Sequence, residues 1–579
     1  MCKPTAGTFA GVAAIAITVT ALLLAAKVNC EPTAPSFRST VRQFVESEMR
    51  LYPEQATAWG DHRFDDRVSD LSAGGIKERI RHANNWKSRF SAIDPRSLSA
   101  QDEADREWLI AQCDGELLWN DQVRQDQRDP DSYMPTAAVY QLVQRSFAPL
   151  GRRMELATAR ELASLRNLAA ARENLVASRT PKVAVDITLD QMGGTLKFFT
   201  TDLPAFFARV PDGPQKQAFV DANGKIRDAI SSYQHWLRFT FQPAASGSFA
   251  IGADAYRRML ADDDMVDTPL DRLEQIGVEQ LTRLLSDFRA VAAKVDAKRS
   301  PAAVLQSLSS EHPQSSEVIP LASAGLADLR GFVIARHLAT IPSTVMPIVA
   351  ETPPFARATT FASMDTPGPF EHATEAYFYV SLPDRSWPAA KQQQLLTFFS
   401  PPTLSDVSTH EVFPGHYVQF LNNRLNPDEV RSLYDSGSNS EGWAFYCEQM
   451  MLDEGLHAGN PKFRLAQIQM ALTRACRYLV GIRMHTQRMT LAQAADFFEK
   501  QGFMTPHNAM VEALRGTDDP GYLRYQLGKL EILKLREDLQ RKEGASFDLG
   551  KFHDAFLAQG AVPIKLIRRA MLGSDGPLL

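Results

Sequence analysis

From Phe37 onward, apolar residues recur three and four positions apart through segment after segment, and this one pattern fixes the fold class. Phe37 to Tyr52 places Val41, Phe44, Val45 and Met49 on a stripe among charged residues. Ala104 to Val123 does the same with Trp108, Leu109, Cys113, Leu117 and Leu118. Such spacing puts one face of a 3.6-residue helix toward a core. Met154 to Ser178, Lys216 to Phe241 and Leu270 to Lys298 read as long amphipathic helices, the last opened by the capping sequence Asp267-Thr268-Pro269. Past residue 390 the pattern predicts helices over 391–399, 404–421, 441–454, 461–484, 490–501, 506–515, 521–542 and 550–558. Two stretches break the rhythm. Residues 299–316 are polar and Ser-rich, which reads as a surface connection, and 351–369 holds four prolines, which reads as irregular chain. Ala376 to Leu382, rich in aromatic and β-branched residues, is the best strand candidate. It is either an edge beside the chemistry, where an extended substrate could pair with it, or a short buried strand. No internal repeat is visible. The expectation is a mainly α, two-lobed, multi-helix body with a short β element, its lobes spanning 31–315 and 316–579.

Composition narrows the function classes. A net charge of −5 over 579 residues leaves no basic footprint for nucleic acid and no polybasic membrane patch. The first thirty residues read as a signal peptide or N-terminal anchor: Lys3 is followed by a charge-free apolar run over 5–26. Cleavage near Ala26 or after Cys30 gives an exported protein, periplasmic or extracellular. An uncleaved run is long enough to hold the chain to a membrane, and no other stretch reads as long and apolar enough to span one. Of five cysteines, Cys2 and Cys30 belong to the leader, and Cys113, Cys447 and Cys476 form no disulfide framework. A Cys447–Cys476 bridge is one reading and buried free thiols the blander one.

The chemistry concentrates in His410-Glu411-Val412-Phe413-Pro414-Gly415-His416, followed by Ser440-Glu441-Gly442-Trp443-Ala444. In H-E-x-x-H the two histidines share a helix face and hold zinc, while the Glu serves as general base. Here the histidines are six apart, so on a straight helix they would point about 120° away from each other. Pro414 cannot donate to the carbonyl of His410, so the helix must bend there, and the bend can return His416 to His410. The bland reading is a helix end with solvated polar residues. A catalytic zinc needs a third protein ligand. Glu441 is preferred, and Glu448, seven residues on and on the same helix face, is its alternative or a residue orienting a ligand.

These residues, with Gln419, Tyr446 and Glu448, resemble the bacterial family catalogued as domain of unknown function 885. Pro53-Glu54-Gln55-Ala56-Thr57-Ala58-Trp59-Gly60 with Asp70-Leu71-Ser72 is similar to that family's opening, and Tyr525-Gln526-Leu527-Gly528 resembles its Tyr-x-x-Gly segment. The resemblance runs over most of the chain past the leader. It implies a gluzincin-like fold, Zn²⁺ as cofactor and metallopeptidase activity. Where the family shows Gly-x-Pro-Gly, this chain has Val412-Phe413 before Pro414-Gly415. In Val480-Gly481-Ile482-Arg483-Met484-His485 it also lacks the family's Asp near Gly481 and its Gly-Leu before the His.

The expected site is therefore His410, His416 and Glu441 on the metal, with Glu411 as catalytic base. Tyr525 is the candidate donor to an oxyanion and His485 a candidate for substrate or oxyanion binding. Packing roles are the bland alternative for both. Trp443 and Tyr446 are expected to pack the helix pair, and Arg524 to form a salt bridge or hold a substrate carboxylate. No G-x-S-x-G elbow, P-loop or Rossmann fingerprint is present. The expected activity is metal-assisted hydrolysis of a peptide. A reading from another class stands beside it: a non-catalytic exported helical binding protein with a vestigial metal site.

Overall fold

The computed structural model describes residues 36–353 and 360–579. The leader, with its anchor and cleavage expectations, lies outside them. The described chain is helical almost throughout. Its helices start where short polar side chains can satisfy free N–H groups: Ser36, Ser72, Ser99, Ser300, Ser400 and Thr505 each accept from the N–H three residues on. Pro301, Pro401, Pro461 and Pro506 occupy first helical positions, where no N–H is needed.

The principal helices are α1 (Phe37–Leu51), α2 (Ala100–Leu117), α3 (Leu270–Val295), α4 (Ser315–Ala335), α5 (Pro401–Glu411), α6 (His416–Leu425), α7 (Gly437–Asp453), α8 (Pro461–His485) and α9 (Arg524–Glu543). The mainly α expectation holds, with three corrections. Residues 299–316 are not a bare connection: Ser300 caps a helix over Pro301–Ser310 that buries Val304 and Leu308, and α4 follows. The Ser content hid an apolar stripe. The 404–421 helix is two helices, α5 and α6. The expectation that nothing past the leader is long and apolar enough to span a membrane also fails. By length and composition α4 qualifies: it has 21 residues, and an 18-residue window within it has a mean hydropathy of 1.5. It packs Val318, Leu326, Leu329 and Val333 into the core and leaves Leu321 and Ile334 exposed.

A three-stranded sheet, β1 (Ile348–Glu351), β2 (Ala362–Asp365) and β3 (Tyr377–Val380), is ordered β1-β3-β2. β3 is parallel to β1, with Ile348 opposite Tyr377, and antiparallel to β2, with Asp365 opposite Tyr377. The strand expected within 376–382 is thus central. Both its edges are paired, so it offers no ladder to an extended substrate. Phe378 and Val380 point into the core.

Buried apolar residues form three clusters. One joins residues 37–113 to 318–567, a second joins 118–308 to 445–527, and a third lies within 133–245. α7 sits at the seam of the first two: Trp443, Tyr446 and Cys447 face one cluster and Phe445 the other. α9 straddles the same seam, with Leu527 in the second cluster and Ile532 and Leu535 in the first. Buried on several faces, these helices hold their side chains rigidly. Cys447 and Cys476 are unbridged and wholly buried, as is Cys113 nearly so.

Candidate metal centre

The site is built on a broken helix. α5 runs from its Ser400 cap to Glu411, carrying Asp406 and His410 one turn apart. The chain then folds back on itself. The N–H groups of Val412 and Phe413 both reach the Ser408 carbonyl, at 2.9 and 3.3 Å, and that of Gly415 donates to Thr409 at 3.1 Å. Only glycine fits at 415, because a Cβ there would stand 1.8 Å from the His410 carbonyl oxygen. Trp443 Nε1 donates to the Pro414 carbonyl at 2.9 Å and pins the turn to α7. α6 restarts at His416. The two imidazole rings end 4.8 Å apart at 86°. The bend expected at Pro414-Gly415 is a full break, and it returns His416 to His410.

α7 supplies the carboxylate. Glu441 Oε2 lies 3.4 Å from His410 Nε2 and 3.5 Å from His416 Nε2. One donor atom from each of the three residues falls within 4.8 Å of the others. Oε2 is buried without a hydrogen-bond partner among the described residues, so the two imidazoles and the carboxylate surround a gap instead of closing on one another. Two imidazoles and one carboxylate make a donor set suited to zinc, and the residues fit the ion the motif implies.

Glu448 takes the other side of His410. Its Oε1 is 2.8 Å from His410 Nδ1 and 2.7 Å from Arg474 Nη2. Each ring nitrogen of His410 therefore faces a different glutamate, and Glu441 alone faces both Nε2 atoms. Burial by itself would lower the His410 pKa, but its contacts with Glu441 and Glu448 outweigh that and raise it to about 9. Burial would raise Glu441, and the facing histidines instead hold it well below the usual carboxylate range.

Behind Glu448 lies a charged layer that the sequence reading missed. Asp406, Arg474 and Lys529 are all nearly buried. Burial, and next the negative charge of Glu448, push Asp406 well up. Burial lowers Lys529 to about 8 against the pull of Glu448, and its ammonium sits 3.9 Å from the Phe445 ring centre. The i, i+4 spacing of Asp406 and His410 was a usable signal. Nothing in sequence pointed to Arg474 or Lys529.

α7 and α9 cross glycine to glycine. A Cβ on Gly442 would meet Gly528 Cα at 2.5 Å, and one on Gly528 would meet the Ser438 carbonyl at 1.6 Å. This close approach brings Tyr525 to the site, its ring stacked on His410 at 6.3 Å. Arg515 donates to its hydroxyl at 3.1 Å. Burial first, and then Glu441, raise the phenol to about 12, so it stays protonated at neutral pH. Glu411 ends α5 beside His410 and is buried.

The structure does not bring His485 to this cluster. It ends α8, eleven residues past Arg474, which is about 16 Å along the helix axis. Its Nε2 meets the Gly516 carbonyl at 2.9 Å and its ring stacks on Tyr256. Arg524 pairs with Asp263 and Asp264. Trp443 and Tyr446 pack as expected, with Tyr446 bonded to His553.

Among the solved structures similar to this chain are two that match nearly its whole length. A "putative lipoprotein of unknown function" from Shewanella oneidensis superposes with a TM-score of 0.78 at 24% identity, over 93% of this chain and 100% of that one. A "putative lipoprotein" from Colwellia psychrerythraea gives 0.77 at 17% identity, over 92% and 98%. At these identities the likeness shows the fold. Curated proteins yielded no match. The family described as "Bacterial protein of unknown function (DUF885)" matches residues 53–571, a span that includes every residue of the centre described above, and the chain belongs to that family.

Proposed function

We propose that this chain is a zinc-dependent hydrolase of the gluzincin type that cleaves peptides. One observation carries the reading: the Nε2 atoms of His410 and His416 both turn toward a single oxygen of Glu441 that has no hydrogen-bond partner among the described residues. His410, His416 and Glu441 would hold the ion, which when bound polarises a carbonyl and acidifies water. Glu411 is the residue to take the proton of the attacking water and deliver it to the leaving amine. Tyr525, kept protonated, is placed to donate to the developing oxyanion. Glu448, held by Arg474, fixes the His410 ring and its tautomer. The apolar leader ending near Cys30 supports export with attachment at the N-terminus, and the two structural neighbours are described as lipoproteins.

A panel of unstructured peptides with free and blocked ends, incubated with zinc-loaded full-length protein, tests the reading. Cleavage that vanishes in Glu411→Gln, with zinc retained, supports it, and an active Glu411→Gln protein sinks it. The second reading, a non-catalytic binding protein, has one observation behind it. His416 Nδ1 is buried without a partner among the described residues, so no bond orients that ring as Glu448 orients His410.

A further inference from the structure

A cavity of about 460 Å³ opens beside the triad and is lined by residues far apart in sequence. Asp435 connects the two. It lines the cavity and accepts a hydrogen bond at 3.2 Å from Ser440, the residue before Glu441. The opposite wall comes from α1, α2 and the segment around Glu54 and Trp59. Glu54, Gln55 and Trp59, singled out in the sequence as part of an opening motif, all line this space.

The chemistry of the lining is one-sided. Glu48, Glu54, Glu116, Asp263 and Asp435 contribute carboxylates. Against them Arg79 is the one lining guanidinium, and it lies over the Tyr52 ring at 4.8 Å. Arg524, just outside, is bonded to Asp263 and Asp264. His82 faces Glu48 at 3.2 Å, but burial lowers it to about 4, so it is neutral. Glu116 accepts from Tyr52 at 2.6 Å and from Asn120 at 2.8 Å, both neutral donors. Among the described residues Glu54 accepts from Ser69 alone. Aromatic faces of Phe44, Tyr52, Trp59 and Tyr434 complete the wall. The Tyr434 hydroxyl is buried with no partner among the described residues, a polar atom left open at the cavity.

We propose that this cavity receives a cationic group of the substrate, a basic side chain or a free α-amino group, next to the metal centre. Carboxylates and aromatic faces together recognise ammonium and guanidinium groups, the first by charge and the second through the ring quadrupole. An anionic group would meet five acidic side chains with one guanidinium in the lining against them. Burial, and next the charge of Glu116, push the Glu48 carboxyl well above its ordinary range. The inference rests on the hydrolase reading for the identity of the ligand as a peptide.

The test is calorimetric titration of the zinc-loaded, full-length Glu411→Gln protein, which binds without cleaving. Matched peptides carry arginine, lysine, norleucine or glutamate at one position, each with a free or an acetylated N-terminus. Peptides bearing the cation should bind about tenfold tighter or more than neutral ones. The arm that carries the preference, side chain or α-amine, identifies the group the cavity takes. Glu116→Gln and Asp435→Asn should each shrink that ratio. Asp435 is exposed, so its variant checks the idea even if Glu116→Gln fails to fold. Equal binding of cationic and neutral peptides, tighter binding of the glutamate peptides, an unchanged ratio in the Asp435→Asn protein, or no binding at all overturns the proposal. Hydrolysis by the parent protein, followed in parallel, keeps the two readings apart. Charge-selective binding without cleavage sinks the hydrolase and leaves the cavity, and cleavage without charge selection does the reverse.

Discussion

His410 and His485 are both wholly or nearly buried, both in the last turn of a helix and both within motifs, yet their surroundings make them opposite kinds of residue. His410 has a glutamate on each ring nitrogen and a second imidazole 4.8 Å away, and its pKa is raised to about 9. His485 has a backbone carbonyl on one nitrogen and the Tyr256 ring against its face. Burial lowers it to about 4, opposed only partly by the Gly516 bond. Burial alone therefore says nothing about reactivity. What separates a candidate ligand from a packing histidine is whether carboxylates and another donor converge on the same point. His410 lies among the candidate metal ligands and His485 among packing contacts.

The largest difference should appear in turnover. Glu411→Gln is expected to lower peptide cleavage by roughly 10²–10⁴-fold, the usual worth of a positioned general base, with zinc content unchanged by elemental analysis. His485→Gln should leave cleavage by the folded fraction near the parent rate. Equal losses in the two variants would erase the distinction.

Metal affinity sharpens the contrast next. Glu441→Ala should remove most zinc binding, because it deletes a ligand and the one carboxylate facing both Nε2 atoms. Glu448→Ala should weaken it by about 10–100-fold through loss of ring orientation. Zinc competition against a chromophoric chelator ranks them. If Glu448→Ala is the more damaging, the two roles must be exchanged.

How much of this was legible without a structure follows the same division. Periodicity revealed the helical body, since each helix must bury a stripe. It failed at 299–316, where small polar Ser residues masked Val304 and Leu308. The triad was readable because Pro414 and Gly415 announce a break between two histidines. The side chains that tension it were not. Arg474 pairs with Glu448 from 26 residues downstream and Lys529 packs on the Phe445 ring from 84 residues downstream, and no local pattern encodes such a meeting. His485 was misjudged for the converse reason: a motif-like setting carries no information on what faces the ring. Nor could sequence show that the strand at Tyr377–Val380 would be flanked on both sides.

Smaller effects belong to stability. His485→Gln should destabilise by roughly 1–3 kcal/mol, the cost of disturbing a buried hydrogen-bonded group, and leave zinc affinity unchanged. A change in zinc affinity would tie His485 to the metal after all.

Acid should act through the same class of residue. His485 and His553 both fall to about 4 when folded, against about 6.5 unfolded. Between those values the unfolded chain binds more protons. Their stabilising contribution is therefore complete above about pH 6.5 and lost as the pH falls through about 4. Thermal unfolding from pH 7.5 to 4.5 should show a falling midpoint, with a shallower slope in His485→Gln. An identical slope would mean that the residue does not stay neutral.

The most direct test of the central claim is the zinc content of purified, full-length protein, saturated with zinc and then dialysed. A single three-ligand site holds about one ion per chain, and that content should collapse in both His416→Ala and Glu441→Ala. Fewer than about 0.2 ions per chain in the parent, where such a site should fill, or a parent-like content in Glu441→Ala, would contradict it.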